Sequence, residues 1–345
     1  MQEFIQKKKP HYAVNDQLRE YLAYYSRAIG LHVTYHDLAR YNSSIPLYNS
    51  DGKDTLWESV LYPQSEMESI HKALVEIYAL LKTGGDTSVT EHLSVDRIDY
   101  CTFGNSNPFR IRIVNNFNEN FDYFYIKKAD ASRIYGLELE HILSPNRITY
   151  FVDGDTLIEE HIAGIPGDMF IENNFHDKFI NKVRLAKEFV KFNERCFVRL
   201  LGDMRSYNFV IDITPDFEEV HYRIRAIDFD QQSHEGRKSM YLPQFFKENK
   251  LFVDLCIEQM TPESLQQYQS EEYTLIAKRI KASGNMFSDL LRVMHTDVIS
   301  TPEKIASLAS DLSDHYRNNR FKECKTMGSL VGMSLHVIVE KTKLL

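Results

Sequence analysis

Hydrophobic positions in the first part of the chain recur at helical spacing. Leu18, Leu22 and Tyr25 fall on one face, and apolar residues return every three or four positions between residues 67 and 81. This spacing is typical of an amphipathic helix that buries one side. A stretch rich in turn formers, YNSSIPLYNSDGKD, separates the two segments and predicts a loop. The pattern therefore predicts a helical N-terminal extension over residues 1–90.

After residue 90 the pattern changes to alternation of apolar and polar residues. The runs HLSVDRIDYCTF, FRIRIVN and FDYFYIKK are separated by the turn-forming stretches GNSNP and NFNEN. Alternation at period two with turn formers between the runs predicts an antiparallel meander. A short helix over about 131–143 follows, and RITYFV and TLIEEHI predict two more strands. Residues 91–163 therefore predict five antiparallel strands with one helix inserted after the third.

From residue 164 onward the spacing is mostly helical. A long helix is predicted over about 177–195, and two later helices begin at Thr261-Pro262-Glu263 and Thr301-Pro302-Glu303. Proline is favoured at the first helical position, because its missing N–H has no helical partner there. One β-like stretch interrupts the helices, with TPDFEE as the turn of a small hairpin. Residues 164–345 therefore predict a mainly helical domain, and the whole chain belongs to the α+β class.

Composition and charge narrow the function. The 345 residues carry a net charge of −8, which disfavours non-specific attraction to nucleic acid or to an anionic membrane. The N-terminal lysines precede no apolar segment, so no signal peptide is predicted. The stretch MGSLVGMSLHVIV is too short to span a membrane, and Gly328 and Gly332 in it favour close helix packing. Four widely spaced cysteines favour reduced thiols in the cytoplasm over a zinc or disulfide framework.

The candidate chemistry lies in the stretch RLLGDMRSYNFVID and in a later acidic cluster. Asp203 and Asn208 share one loop, and Asp228 ends the hairpin that follows. Magnesium prefers carboxylate and amide oxygens and keeps phosphate oxygens as further ligands. A separate carboxylate can orient an acceptor hydroxyl and take its proton. The alternative for Asp203 and Asn208 is that they form a turn, and Asp228 without the other motifs is interpreted as a structural strand-ending aspartate.

In this order the elements resemble the protein-kinase-like fold, and the pattern is closest to the aminoglycoside phosphotransferase and choline kinase branch. That branch reads H-G-D-x-x-x-x-N and then I-D-F, where this chain has LGDMRSYN and AIDFD. The resemblance covers about residues 91–240 and implies a bilobal fold with a strand-rich nucleotide-binding lobe and a helical lobe. It implies Asp203 as the catalytic base, Asn208 and Asp228 as Mg²⁺ ligands, and Asp230 as an auxiliary acidic group.

The same resemblance assigns a nucleotide site to the strand-rich lobe. The run FYIKK is similar to the strand with the phosphate-binding lysine, which puts Tyr125 on adenine and Lys127 on the α- and β-phosphates. Lys128 is the alternative, because neighbouring strand residues face opposite ways. In the next helix Glu138 is preferred to Glu140 as the partner of the lysine, and both could instead be solvated. The remaining assignments are Gly104 in the phosphate-covering turn and the backbone from Glu160 to Ile162 in the hinge.

The implied function is transfer of phosphate from ATP, with Mg²⁺, to the hydroxyl of a small molecule. Arg205 would neutralise charge on the transferring group or order the loop through a salt bridge. Helices after residue 240, alone or together with the N-terminal extension, would form the acceptor pocket. The extension is also where a protein partner could bind. Leu201 replaces the histidine of the branch, and no Ala-Pro-Glu triplet follows the acidic cluster. A kinase-like nucleotide-binding regulator without turnover, a protein kinase and a nucleotidyl transferase therefore stay open as alternatives.

Overall fold

The chain divides into two compact units. The computed structural model describes residues 9–103, 106–216 and 219–342. One unit is formed by Met1–Ala131 and Ile148–His161, and the other by Ser132–Arg147 and Ile162–Leu345. The first unit contains a large sheet, and the second contains most of the helices. This α+β architecture confirms the predicted fold class.

The first unit is built on an antiparallel sheet in the order β1-β2-β3-β4-β5-β7-β6. The predicted meander is confirmed as β3 to β5, and the two further strands as β6 and β7, with helix α4, Ala131–Leu143, between β5 and β6. The strands are β1 Ser43–Tyr48, β2 Asp54–Leu61, β3 Leu93–Cys101, β4 Phe109–Asn115, β5 Phe121–Lys128, β6 Tyr150–Asp153 and β7 Thr156–Glu160.

Two strands of this sheet lie in the segment predicted to be helical, so the sheet has seven strands among the described residues instead of five. β1 and β2 form a hairpin whose turn includes Gly52 at φ +74°, a conformation that glycine adopts without strain. β1 exposes most of its side chains, so no buried alternation marks it in the sequence. The prediction of an entirely helical extension over residues 1–90 was therefore wrong.

The predicted helix around residues 67–81 is confirmed as α3, Gln64–Thr83, which ends at Gly84 in the left-handed conformation. α3 packs on one face of the sheet, where its apolar side chains meet those of β4, β5 and β7. Because side chains alternate along a strand, the other face carries Tyr125, Lys127 and Glu159. The other helices of this unit are α1 Asp16–Tyr24, capped by the Asn15 side chain, and α2 Tyr35–Leu38.

Among its described residues, the second unit combines α4 with seven later helices and a small three-stranded sheet. The predicted hairpin is confirmed as β9, Phe209–Asp216, and β10, Glu219–Ala226, with β8, Ile165–Pro166, beside β9. The predicted caps at Thr261 and Thr301 are also present. The helices are α5 Gly167–Asn173, α6 Lys182–Val198, α7 Lys250–Gln259, α8 Pro262–Ser283, α9 Asn285–Thr296, α10 Pro302–Tyr316 and α11 Met327–Thr342.

The long helix of the second unit begins later than its hydrophobic pattern predicts. The Asn181 side chain accepts a hydrogen bond from the backbone N–H of Arg184, which satisfies one of the free donors at the start of α6. α6 then runs into the loop with Asp203, so the helix sets where that loop begins. In the described part of the chain, no helix has the length and apolar character needed to cross a lipid bilayer.

Candidate functional site

Backbone hydrogen bonds fix the loop that follows α6. The N–H of Gly202 donates to the carbonyl of Gln231 at 3.1 Å, and the N–H of Asp203 donates to the carbonyl of Met240 at 3.0 Å. Asp203 has φ +58°, a left-handed conformation that is strained for a residue with a side chain. Leu201, in place of the expected histidine, is fully buried. The loop is therefore held in a strained shape by contacts from a later part of the chain, and strain of this kind clusters at functional sites.

The Asp203 carboxyl lies between a cation and other acidic groups. Arg205 Nε donates to its Oδ1 at 2.8 Å, and Arg205 Nη1 also lies 3.7 Å from a carboxylate oxygen of Glu248. Burial raises the pKa of Asp203 to about 6; the Arg205 guanidinium opposes this shift and Asp228 adds to it. Asp203 is thus ionised at neutral pH and protonated in mild acid. The salt bridge fits the loop-ordering role of Arg205 and leaves a role in phosphate transfer as a proposal.

The Asn208 side chain is oriented by one hydrogen bond. Its Nδ2 donates to the carbonyl oxygen of Asp203 at 2.7 Å, which assigns the amide nitrogen to that side. The Oδ1 atom accepts no hydrogen bond from any residue that the structure describes. The Asn208 carbonyl accepts from the N–H of Ile227, which joins this loop to the end of β10. The loop and the hairpin end are therefore one connected structure with a free amide oxygen.

The acidic cluster after β10 is held by an arginine that the sequence analysis did not single out. Arg133 on α4 is 1% exposed, and its Nη1 donates to Asp228 Oδ1 at 2.9 Å and to Asp230 Oδ1 at 2.8 Å. The Asp228 side chain is 35% exposed, whereas that of Asp230 is 8% exposed. Asp228 is therefore the aspartate that solvent or a ligand can reach. The available signal was an arginine among the small and apolar residues of the first turn of α4.

Helix α4 packs directly on this cluster. A side chain at Gly136 would place its Cβ 2.9 Å from Cβ of Phe229, so only glycine permits the approach. The Ser132 hydroxyl donates to the carbonyl of Gln232 at 2.6 Å. Further along α4, Glu138 and Glu140 are buried rather than solvated, and Glu140 forms an ion pair with Arg199. α4 and the acidic segment therefore form one closely packed element.

In the first unit, strand β5 presents a buried lysine. Lys127 is 7% exposed, and its Nζ donates to Glu159 Oε2 at 2.8 Å. The Tyr125 ring lies on the same face, with its centroid 5.3 Å from Lys127 Nζ. Lys128 is exposed at the end of the strand. This geometry favours Lys127 over Lys128 as the lysine of the proposed nucleotide site, and it adds Glu159 as its partner. The pair Glu159-Glu160 was the available signal for this partner in the sequence.

Tyr125 is also fixed at its hydroxyl, which lies 3.3 Å from His161 Nδ1. Burial raises the pKa of Tyr125 to about 12, and burial lowers the pKa of His161, so both groups are neutral at neutral pH. On the neighbouring strand β4, Arg110 lies directly opposite Tyr125 on the same face. Arg110 pairs with the buried Asp99 and stacks on the rings of Trp57 and Tyr123. The face with Tyr125 and Lys127 therefore carries aromatic rings and two cations, each of which is paired with a carboxylate.

The expected hinge is only partly available for ligand contacts. The Glu160 N–H donates to the Thr149 carbonyl at 3.1 Å, and Glu160 Oε1 accepts from the Thr149 N–H at 2.8 Å. The Glu160 N–H is thus already used within the sheet. Ile162 is buried and belongs to the second unit. Gly104 lies outside the described residues.

The structure thus brings the predicted residues together in two groups. Asp203, Arg205, Asn208 and Asp228 share the second unit, and Tyr125 and Lys127 share one sheet face of the first. Within residues 9–103, 106–216 and 219–342, no group of three or more His, Cys, Asp or Glu side chains is arranged to hold a metal ion. A metal at the first group would therefore have one carboxylate and one amide from the protein and would need ligands from elsewhere. Mg²⁺ commonly binds in this way, with water and phosphate oxygens.

Comparisons with known proteins add little. No protein-family model and no curated protein sequence matches the chain. Among solved structures it is similar to a Rio2 kinase–ADP/Mg²⁺–phosphoaspartate complex from Chaetomium thermophilum, at 9% identity over 87% of this chain and 81% of that chain, with a TM-score of 0.28. It is also similar to titin kinase with its flanking domains, at 14% identity over 72% of this chain and 55% of that chain, with a TM-score of 0.27. Scores this low carry no argument about fold or function.

Proposed function

We propose that the protein is an ATP- and Mg²⁺-dependent phosphotransferase with a bilobal kinase-like fold. The observation that carries the proposal is the meeting of Asp203, Asn208 and Asp228 in one connected loop and hairpin end. Support also comes from the order of three strands, one helix and two strands, which is the order implied by the resemblance. Residues 91–163 would bind the nucleotide, and residues 164–345 would supply the catalytic and metal loops.

The oxygen cluster would divide the chemical roles among its members. Asp203 would orient the acceptor hydroxyl and take its proton, for which a pKa of about 6 is suitable near neutral pH. Asn208 Oδ1, which has no protein partner in the described chain, and the exposed edge of Asp228 would hold Mg²⁺. The ion would supply neutralisation of charge on the phosphates. Arg205 lies close enough to Asp203 to add a second positive charge.

The nucleotide would be held by the aromatic and cationic face of the first unit. Lys127 would contact the α- and β-phosphates, while Glu159 fixes its ammonium group on the sheet. Tyr125 would stack on adenine. Because the Glu160 N–H is used by Thr149, hinge contacts to adenine would rely on other backbone groups toward Ile162. Gly104 and Glu138 keep the phosphate-turn and lysine-partner roles that the resemblance implies.

The acceptor proposed is a small molecule with a hydroxyl group, as in aminoglycoside phosphotransferase-like enzymes. The support is the absence of an Ala-Pro-Glu triplet after the acidic cluster. Helices α7 to α11 would form its pocket. A protein acceptor and nucleotidyl transfer are the alternatives, and mass spectrometry of partner proteins after incubation with ATP distinguishes the three, because the adducts differ in mass.

The test of the proposal is calorimetric titration of ATP into the protein with and without Mg²⁺. We expect Asp228→Ala to weaken Mg²⁺-dependent binding by about tenfold or more, because it removes a charged ligand. Asp254→Ala, at an exposed aspartate on α7, serves as the matched control and should leave binding unchanged. Unaltered, magnesium-independent affinity in Asp228→Ala would contradict the proposal.

A second candidate is a kinase-like nucleotide-binding regulator without turnover. Two observations favour it: Leu201 stands in the position of the histidine, and the Asp203 carboxylate is engaged by Arg205. For such a protein, ATP would bind but its consumption with a broad panel of acceptors would be slow. Consumption would also be the same in Asp203→Asn. An enzyme would instead lose turnover in that variant.

A further inference from the structure

A cavity of about 380 Å³ lies in the second unit between α6, α7 and the start of α8. This volume falls in the range of small-molecule sites. None of its lining residues belongs to the candidate site described above. Ile257 on its rim is 73% exposed, which indicates that the cavity is open to solvent. Its apolar walls are formed mainly by Phe189, Val190, Val253, Ile257, Met260 and Leu265.

One wall of this apolar cavity carries a buried carboxylate, that of Glu194. The residue is 4% exposed, Gln269 Nε2 donates to its Oε1 at 2.7 Å, and the Tyr273 hydroxyl donates to its Oε2. No lysine, arginine or histidine of the described chain forms an ion pair with it. A buried carboxylate without a counter-ion is unusual, because removing the charge from water is costly. Two neutral donors satisfy its hydrogen bonds. Burial raises the pKa of Glu194, so a cation beside it would stabilise its ionised form.

The surrounding charges do not supply the missing cation. Arg195, the next residue on α6, is turned to Glu188 and Glu272, with Nη2 2.7 Å from Glu188. Glu272 on α8 adds negative potential at Glu194. On α7, burial raises the pKa of the Cys256 thiol to about 12, so this lining residue is neutral. The cavity is therefore lined mainly by apolar side chains, with the carboxyl group of Glu194 in one wall.

These features define the ligand by its chemistry. A dry apolar cavity without polar groups would take a purely apolar molecule. Here a ligand with a hydrocarbon body and a positive charge would bury the body against the apolar walls and balance Glu194. Such an ion pair, formed away from water, gains more than one on the surface. A peptide would need partners for its backbone groups, and the lining offers few polar side chains.

We propose that this cavity binds a small organic ammonium compound, whose protonated amine pairs with Glu194 and whose hydrocarbon part fills the space between α6 and α7. The inference uses none of the residues proposed to bind the nucleotide and the metal, and it can be tested without them. Because α7 and α8 are also among the helices proposed for the acceptor pocket, it bears on that part of the second unit.

The experiment compares two probes of nearly equal shape on the full chain by isothermal titration calorimetry. Phenethylamine is charged at neutral pH, and phenethyl alcohol is not. We expect the amine to bind about tenfold more tightly than the alcohol, which corresponds to one charge-assisted contact. In Glu194→Gln this preference should disappear, whereas Glu258→Gln, at an exposed α7 glutamate outside the lining, should keep it. Val253→Trp should fill the cavity and abolish binding of both probes.

Three results would overturn the inference: equal affinity for amine and alcohol in the wild type, no binding of the amine, or an undiminished preference in Glu194→Gln. If Glu194→Gln fails to fold, the comparison of the two probes on the wild type still decides the matter. Binding of the amine that persists in a folded Val253→Trp would locate it elsewhere and would also count against the site.

Discussion

Asp203 combines a strained backbone with a carboxyl whose pKa is close to physiological pH. Its φ of +58° is maintained where the N–H groups of Gly202 and Asp203 donate to carbonyls of the segment after the acidic cluster, and burial raises its pKa to about 6. Both features place the carboxyl at a defined point and leave it ready to exchange a proton. They are properties of a single residue that its neighbours impose, and they lead to a prediction about pH.

If Asp203 is the catalytic base, the pH profile of kcat/KM should have an acid limb. Asp203 must be deprotonated to accept a proton, so kcat/KM should fall about tenfold per pH unit below a pKa of about 6 and level off above it. Arg205→Gln should move the limb to higher pH, because the guanidinium lowers the pKa of Asp203. Steady-state kinetics across pH measures both. If the limb stayed at the same pH in Arg205→Gln, a group other than Asp203 would be responsible for it.

Removing the Arg133 side chain should lower the stability of the protein. Arg133→Ala removes the cation that bridges Asp228 and the more buried Asp230, so we expect the free energy of unfolding to fall by about 3 kcal/mol. Urea unfolding measures the change. The matched control is Arg292→Ala, an exposed arginine on α9, which should change stability by less than about 0.5 kcal/mol. A similar small effect at Arg133 would show that the bridge carries little stability.

Residue-level sequence reasoning worked where the signal is local. The spacing of Asp203 and Asn208 and the strand end at Asp228 are visible along the chain, and the structure brings the three together. Arg133 and Glu159 were missed, because their partners lie far away in sequence. Arg133, for example, meets aspartates that follow it by about a hundred positions. Only the fold itself pairs such residues.

At the scale of elements, the alternation of side chains along β5 turns its two adjacent lysines to opposite faces. Lys127 lies buried with Glu159 and Tyr125, whereas Lys128 is exposed at the end of β5. We expect Lys127→Met to weaken ATP binding by about tenfold or more, because a charge-assisted contact is lost. Lys128→Met is the matched control and should bind ATP normally. Nucleotide titration of both variants measures this, and equal losses in the two would contradict the assignment.

The contact of α11 with α9 gives a second test at this scale. A Cβ at Gly328 would overlap the backbone carbonyl of Met294, and backbone atoms cannot move aside as the end of a flexible side chain can. Gly328→Ala should therefore destabilise the protein by about 2 kcal/mol in thermal or urea unfolding. Gly30→Ala, where no atom lies within 4 Å of the added carbon, is the control and should be nearly neutral. A neutral Gly328→Ala would mean that the helices separate easily.

Elements with a buried face were the predictable ones. β4 and β6 alternate between buried and partly buried side chains, and α3 has its apolar side chains at helical spacing, so these elements were found from the sequence. β1 and β2 were missed, because Val60 is the single buried side chain in the two strands, which leaves no clear alternation. The Asp51-Gly52 pair, a common turn signal, was the available evidence for a hairpin there.

For the whole molecule, the account rests on two groups of residues that each unit builds separately. The first unit presents Lys127 and Tyr125 on the sheet face opposite α3, and the second joins Asp203, Asn208 and Asp228 through one loop and one hairpin end. Phosphoryl transfer requires few covalent steps from the protein and depends on positioning and charge. The central claim is therefore that one divalent ion, with a nucleotide, binds at the second group.

The most direct measurement is a crystal structure of the protein with Mg²⁺ and a non-hydrolysable ATP analogue. The account predicts an ion at about 2.1 Å from both Asn208 Oδ1 and an oxygen of Asp228, with the nucleotide phosphates as further ligands. Lys127 Nζ should lie within hydrogen-bonding distance of the phosphates. An analogue bound with its metal away from Asn208 and Asp228 would contradict the account.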